Sequence, residues 1–113
     1  MLDRDKIIQA EIDYDESVNR FAGNKGLYDK FLMRFREDGH CREAREALDR
    51  GDYEGVLGAA HTLKGLAGNM GMFALADACS VVVNSVRQEQ YEKLEEQMQE
   101  MEKCYNMVMT IYE

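Results

Sequence analysis

Of the two histidines in this chain, His61 stands among residues that could do chemistry. A neutral imidazole carries a nitrogen lone pair. It can attack an activated phosphoryl group and so split a transfer into two easier steps. The far ring nitrogen, Nε2, projects furthest from a helix and is the expected acceptor. Lys64 follows three residues later, and i,i+3 neighbours meet on a helix surface. Its ammonium could offset negative charge arriving at the ring, by on the order of 1 kcal/mol at about 4 Å in water and by more once solvent is excluded. The plainer reading of Lys64 is a solvated lysine. Gly58, Gly65 and Gly68 lie on the same side. Each costs about 1 kcal/mol relative to alanine inside a helix, so keeping them on an outer face suggests that the approach to the imidazole is being kept clear. The alternative is an ordinary surface histidine on a helix stable enough to tolerate glycine.

A metal centre is the competing chemistry. Helical bundles can hold two metal ions through paired Glu-x-x-His motifs plus two further glutamates. Glu37-x-x-His40 matches once, with Gly39 inside it, but His61 has Gly58 three residues before it, so the second motif is missing. No metal site is expected, and His40 reads as an exposed residue at a helix irregularity. Cys41, Cys79 and Cys104 are odd in number and contain no Cys-x-x-Cys. They read as free thiols suited to a reducing cytosol, with Cys79 and Cys104 packing as small hydrophobes. Gly-x-x-x-x-Gly-Lys-Ser/Thr and the kinase signatures are absent from the sequence, so the chain is not expected to be an enzyme or to hold a cofactor.

These residues need elements to position them. At about 100° per residue, Val56, Ala59, Leu63, Leu66 and Met70 form one apolar stripe, and His61 points roughly 170° from its centre. The helix is expected over about 53–70, capped by Asp52 after Gly51 and ended by Gly71. Upstream, Asn24 caps a helix over about 24–50 with Leu27, Phe31, Phe35, Ala44 and Leu48 inward, bent or split at Gly39. A third helix covers about 72–88, with Leu75, Cys79, Val82 and Val86 at core spacing. The last covers about 91–112, where Tyr91, Leu94, Met98, Met101, Tyr105, Val108 and Tyr112 recur at three and four. Residues 1–11 form an N-terminal extension in which Ile7 and Ile8, with Ile12, could cover one end of the fold. Asp15 is the expected cap of a short helix carrying Val18 and Phe21, with Gly23 after it. The fold class is therefore all-α: an antiparallel up-down four-helix bundle with a short N-terminal helix over one end, a single domain across 1–113.

His61-x-Leu63-Lys64-Gly65, with Gly68 and Gly71, resembles the histidine-containing phosphotransfer (HPt) domain of two-component phosphorelays. Ala44-x-x-x-Leu48-x-x-Gly51-Asp52, Ala59-Ala60, Leu75, Cys79 and Leu27-Tyr28-x-x-Phe31-Leu32-x-x-Phe35 agree with it, so the resemblance covers about residues 12–112. It implies that His61 accepts a phosphoryl group from a receiver aspartate or a kinase and passes it to another receiver. It also implies that Lys64 steadies the group, that Gly58, Gly65 and Gly68 admit the partner, and that the receiver brings the aspartate and a Mg²⁺ ion. The expected partners are response-regulator receiver domains and a sensor histidine kinase. One departure is Val83, where many members carry an acidic residue. The alternative from another class is a helical interaction module that uses the same glycine-lined face without phosphorylation.

At 113 residues and a net charge of −8, the chain does not suit a nucleic-acid or anionic-membrane surface. The sequence has no signal-peptide core and no apolar run of spanning length. A cytoplasmic monomer is expected, and the initial methionine favours a free-standing protein over a piece of a larger kinase.

Overall fold

The computed structural model describes residues 2–113, and every regular element among them is helical. Seven α-helices follow in order: α1 Arg4–Gln9, α2 Tyr14–Arg20, α3 Lys25–Phe35, α4 His40–Asp49, α5 Tyr53–Asn69, α6 Phe73–Arg87 and α7 Leu94–Met109. A 3-10 turn, Thr110–Tyr112, ends the chain. Helices α4 to α7 pack in a ring, each against the next and α4 against α7, while α1, α2 and α3 close one end.

The stops and starts have local causes. Asn24 and Asp52 cap α3 and α5 by accepting from the Leu27 and Gly55 amides at 3.0 and 2.9 Å. Gly51 and Gly71 adopt φ of +73° and +79°. After each, the next amide returns to the helix: Asp52 N–H to the Ala47 carbonyl at 2.8 Å, and Met72 N–H to the Ala67 carbonyl at 2.9 Å. The cap of α2 is Asp13 rather than Asp15; its carboxylate accepts from the Glu16 amide at 3.2 Å. Asp15 instead pairs with Arg4 at the surface, at 3.0 Å.

The helix expected over 24–50 is two helices. Asp38 accepts from the His40 amide at 3.0 Å and holds His40 Nδ1 at 2.6 Å, which gives the backbone a local alternative to helix. The Tyr105 hydroxyl donates to the Asp38 carbonyl at 3.1 Å and fastens this turn to α7. The inward face of α3 is also one residue out from the expected phase. Tyr28, Leu32 and Phe35 are buried, whereas Leu27 and Phe31 are about 40% and 39% exposed. Tyr28 goes in because its hydroxyl has a partner there, the Met70 carbonyl at 2.7 Å.

The final helix begins at Leu94, not near Tyr91. Tyr91 lies in the preceding turn with its ring stacked on Tyr53, centroids 3.8 Å apart. Arg45 of α4 clamps α7, reaching Glu95 at 2.7 and 3.0 Å and Glu102 at 2.5 Å. Ile7 and Ile12 are buried at the covered end; Ile8 is exposed. Val83 is fully buried, so the departure at that position lies in the core rather than on an outer face.

Candidate functional site

Helix α5 runs unbroken for 17 residues between its capped ends. Its inner stripe is Val56, Ala59, Ala60, Leu63, Ala67 and Met70, all buried. Leu66, expected in this stripe, is instead 38% exposed. The small Ala60 and Ala67 take the inner positions and let neighbouring helices come close, which turns Leu66 outward. Gly55 serves the same end against α4, because an added Cβ there would lie 3.0 Å from the Ala47 Cβ and 2.6 Å from Asp52 Oδ2.

On the opposite side stand His61, Lys64, Gly58 and Gly65, all exposed, with Gly68 half-buried. Among the described residues, His61 makes no side-chain hydrogen bond and Lys64 no ion pair. Thr62, which the sequence reading passed over, donates its hydroxyl to the Gly58 carbonyl at 3.0 Å and so turns along the helix. A Cβ built on Gly58, Gly65 or Gly68 would find no neighbouring side chain within 4 Å. Thus, among the described residues, no contact requires glycine at these three positions, in contrast to Gly55 and to Gly71. At Gly71 a Cβ would lie 2.2 Å from Ser17 Oγ and 2.7 Å from the Asp13 carbonyl oxygen.

The two histidines are not brought together in one site. His40 is held by Asp38 at the α3–α4 turn. Among the described residues no group of three or more His, Cys, Asp and Glu side chains could hold a metal ion. Cys41 and Cys79 are buried free thiols, and burial pushes both up to about 12, well outside the range of a ready nucleophile.

An all-helical fold that presents one uncommitted imidazole from the middle of a long helix defines a histidine-bearing helical module. The Hpt domain family model matches residues 27–110, most of the chain and all of α3 to α7 except the first two residues of α3, and the protein belongs to that family. No curated protein and no solved structure matches the chain. Family membership places it in two-component signalling as a phosphotransfer domain, a class of phosphocarrier modules that meet receiver domains and kinases. No helix of the described residues is long and apolar enough to cross a membrane.

Proposed function

We propose that His61 is the phosphoacceptor of a phosphorelay intermediate, loaded by a receiver aspartyl phosphate or by a sensor kinase and unloaded by a further receiver. The neutral ring attacks phosphorus through Nε2. A P–N bond forms as the P–O bond to the aspartyl carboxylate breaks, and that carboxylate leaves with the electron pair. Lys64, one turn along the same face, offsets charge on the phosphoryl oxygens as the docked partner excludes water. Gly58, Gly65 and Gly68 let the receiver backbone approach the ring. In-line transfer needs a metal and positioned acceptor groups, and on this reading the receiver brings both. Transfer therefore takes place only in the complex, and the domain is a carrier rather than an enzyme.

The observation that carries this reading is the open, glycine-edged surface around a histidine that makes no side-chain hydrogen bond among the described residues. The test incubates wild type and His61→Gln with a receiver domain carrying labelled aspartyl phosphate. Wild type is expected to take up acid-labile label and His61→Gln none, with unchanged helical content in both. Acid-labile phosphate on the variant would refute the assignment. A non-phosphorylated interaction module would bind the receiver equally in both forms and show no phosphohistidine in either.

A further inference from the structure

Four of the six tyrosines place their hydroxyls on acceptors inside the fold. Tyr14 donates to Asp29 Oδ1 at 3.0 Å, Tyr28 to the Met70 carbonyl at 2.7 Å, Tyr105 to the Asp38 carbonyl at 3.1 Å, and Tyr112 to the Leu32 carbonyl. Tyr53 and Tyr91 are the other two. Among the described residues neither of their hydroxyls makes a hydrogen bond, and their rings are stacked on each other. The centroids lie 3.8 Å apart and the planes are 2° from parallel. Aromatic pairs usually sit at about 4.5–7 Å, offset or edge-on, so these rings overlap more closely than most. Tyr53 is the first residue of α5 and is 36% exposed; Tyr91 lies in the turn between α6 and α7 and is half-buried. Two phenols with uncommitted oxygens are therefore held face to face at the surface, where an oxidant can reach them. Oxidative coupling of phenols needs that arrangement.

We propose that Tyr53 and Tyr91 form an oxidative crosslinking site, closed to a dityrosine by a one-electron oxidant such as a haem peroxidase turning over hydrogen peroxide. Each phenol gives one electron to the oxidant and its hydroxyl proton to water. The two phenoxyl radicals carry spin on the ring carbons ortho to oxygen. A slide and tilt of the rings, within ordinary side-chain motion, lets one ortho carbon of each ring pair its electron with the other in a new C–C bond. Both carbons then lose their hydrogens as protons and both oxygens regain one. In sum, two hydrogen atoms leave the protein and one peroxide becomes two waters. The bond fastens the N-terminal end of α5 to the α6–α7 turn and closes the chain between them into a loop, which restricts the unfolded state. His61 takes no part, so this site and the relay reading can fail separately.

Tyr14 and Tyr28 supply the contrast within the same molecule. Their centroids are 5.3 Å apart, with the rings edge to face at 81°. Both are buried and both hydroxyls are engaged; desolvation pushes each up to about 12, so they hold their protons. No coupling is expected there.

The test treats the whole chain, at high dilution, with a haem peroxidase and hydrogen peroxide, and runs free tyrosine alongside to show that the mixture couples phenols. Wild type is expected to gain dityrosine fluorescence as a monomer, to lose the mass of two hydrogens, and to yield a proteolytic fragment joining the Tyr53 and Tyr91 peptides. Tyr53→Phe and Tyr91→Phe each keep a ring for the stack but remove a phenol, and each should lose the link. The linked monomer should melt roughly 5 °C or more above Tyr53→Phe treated in the same way. Wild type that forms no dityrosine while free tyrosine couples would overturn the proposal. So would a link mapped to Tyr14 and Tyr28, links found only between chains in covalent dimers, or fluorescence that persists in both variants. A linked monomer that melts no higher than the variant would overturn the bracing role.

Discussion

The Tyr28 hydroxyl donates to the Met70 carbonyl oxygen at 2.7 Å, in a fully buried bond between residues 42 positions apart. It ties α3 to the C-terminal end of the helix that carries His61. Removing the donor leaves a buried carbonyl without that partner, which costs about 1–2 kcal/mol. Tyr28→Phe is therefore expected to lower Tm by roughly 5 °C or more. Label uptake at His61 below the transition should be unchanged, since the ring itself lies more than two turns away. Thermal melts followed by circular dichroism, with transfer measured in parallel, check both halves.

The same burial gives an alkaline signature. Desolvation pushes Tyr28 from 10.0 to about 12, and Cys41 and Cys79 from 9.0 to about 12. All three are raised, so the unfolded chain releases these protons at lower pH than the folded one. Their contribution is fully present below the unfolded values and is lost as pH rises from about 9 through about 12. Urea unfolding across that window should show stability falling steadily, and Tyr28→Phe should flatten the part above 10.

Arg45 gives the opposite signature on the acid side. Its hydrogen bonds lower Glu95 from 4.5 to about 2. A depressed carboxylate contributes stability above its unfolded value, lost as pH falls from about 4.5 toward 2. Arg45→Met keeps the packing stem, removes the clamp between α4 and α7, and should lower stability at neutral pH, with less effect at high salt. The slope of stability against pH in the acid window should shrink in the variant. An unchanged slope would place the acid sensitivity elsewhere.

The glycines separate into two groups with opposite signs. Alanine at Gly58, Gly65 or Gly68 meets open space and should stabilise the fold by up to about 1 kcal/mol. Alanine at Gly71 meets Ser17 and the Asp13 backbone at a φ of +79° and should destabilise it by more than about 1 kcal/mol. A leucine at Gly65 should leave folding intact and slow transfer from a receiver. Chemical denaturation ranks the stabilities, and single-turnover transfer reads the docking cost. A Gly65→Leu protein that accepts phosphate at the wild-type rate would show that no partner backbone comes close there.

Much of this architecture is legible in the residues because helix punctuation is local. Asn24, Gly51, Asp52 and Gly71 act through side-chain and backbone bonds within a few positions of themselves. The exposure of His61 follows for a similar reason, as the residue opposite a stripe anchored by Val56 and Leu63. Phase is less legible where two stripes compete. On α3, Leu27 and Phe31 are as apolar as any inward pair, and only a carbonyl 42 residues away selects Tyr28 instead. On α5, Ala67 displaces Leu66 because a small side chain suits a close helix approach, a preference that the partner helix sets. The break at Gly39 was marked by glycine, but its stability comes from Asp38, His40 and Tyr105 acting together across two helices.

The bare flank of α5 also bears on how long a signal can last. His61 is exposed and a Cβ at Gly58, Gly65 or Gly68 would meet open space, so a phosphoryl group carried on that ring would face solvent along this flank. Its lifetime would be that of a simple phosphoramidate on an imidazole, governed by solution acidity rather than by a protective wall. On the proposed reading such a carrier would keep no record of its own, and the duration of the message would belong to whichever partner holds the phosphate before and after.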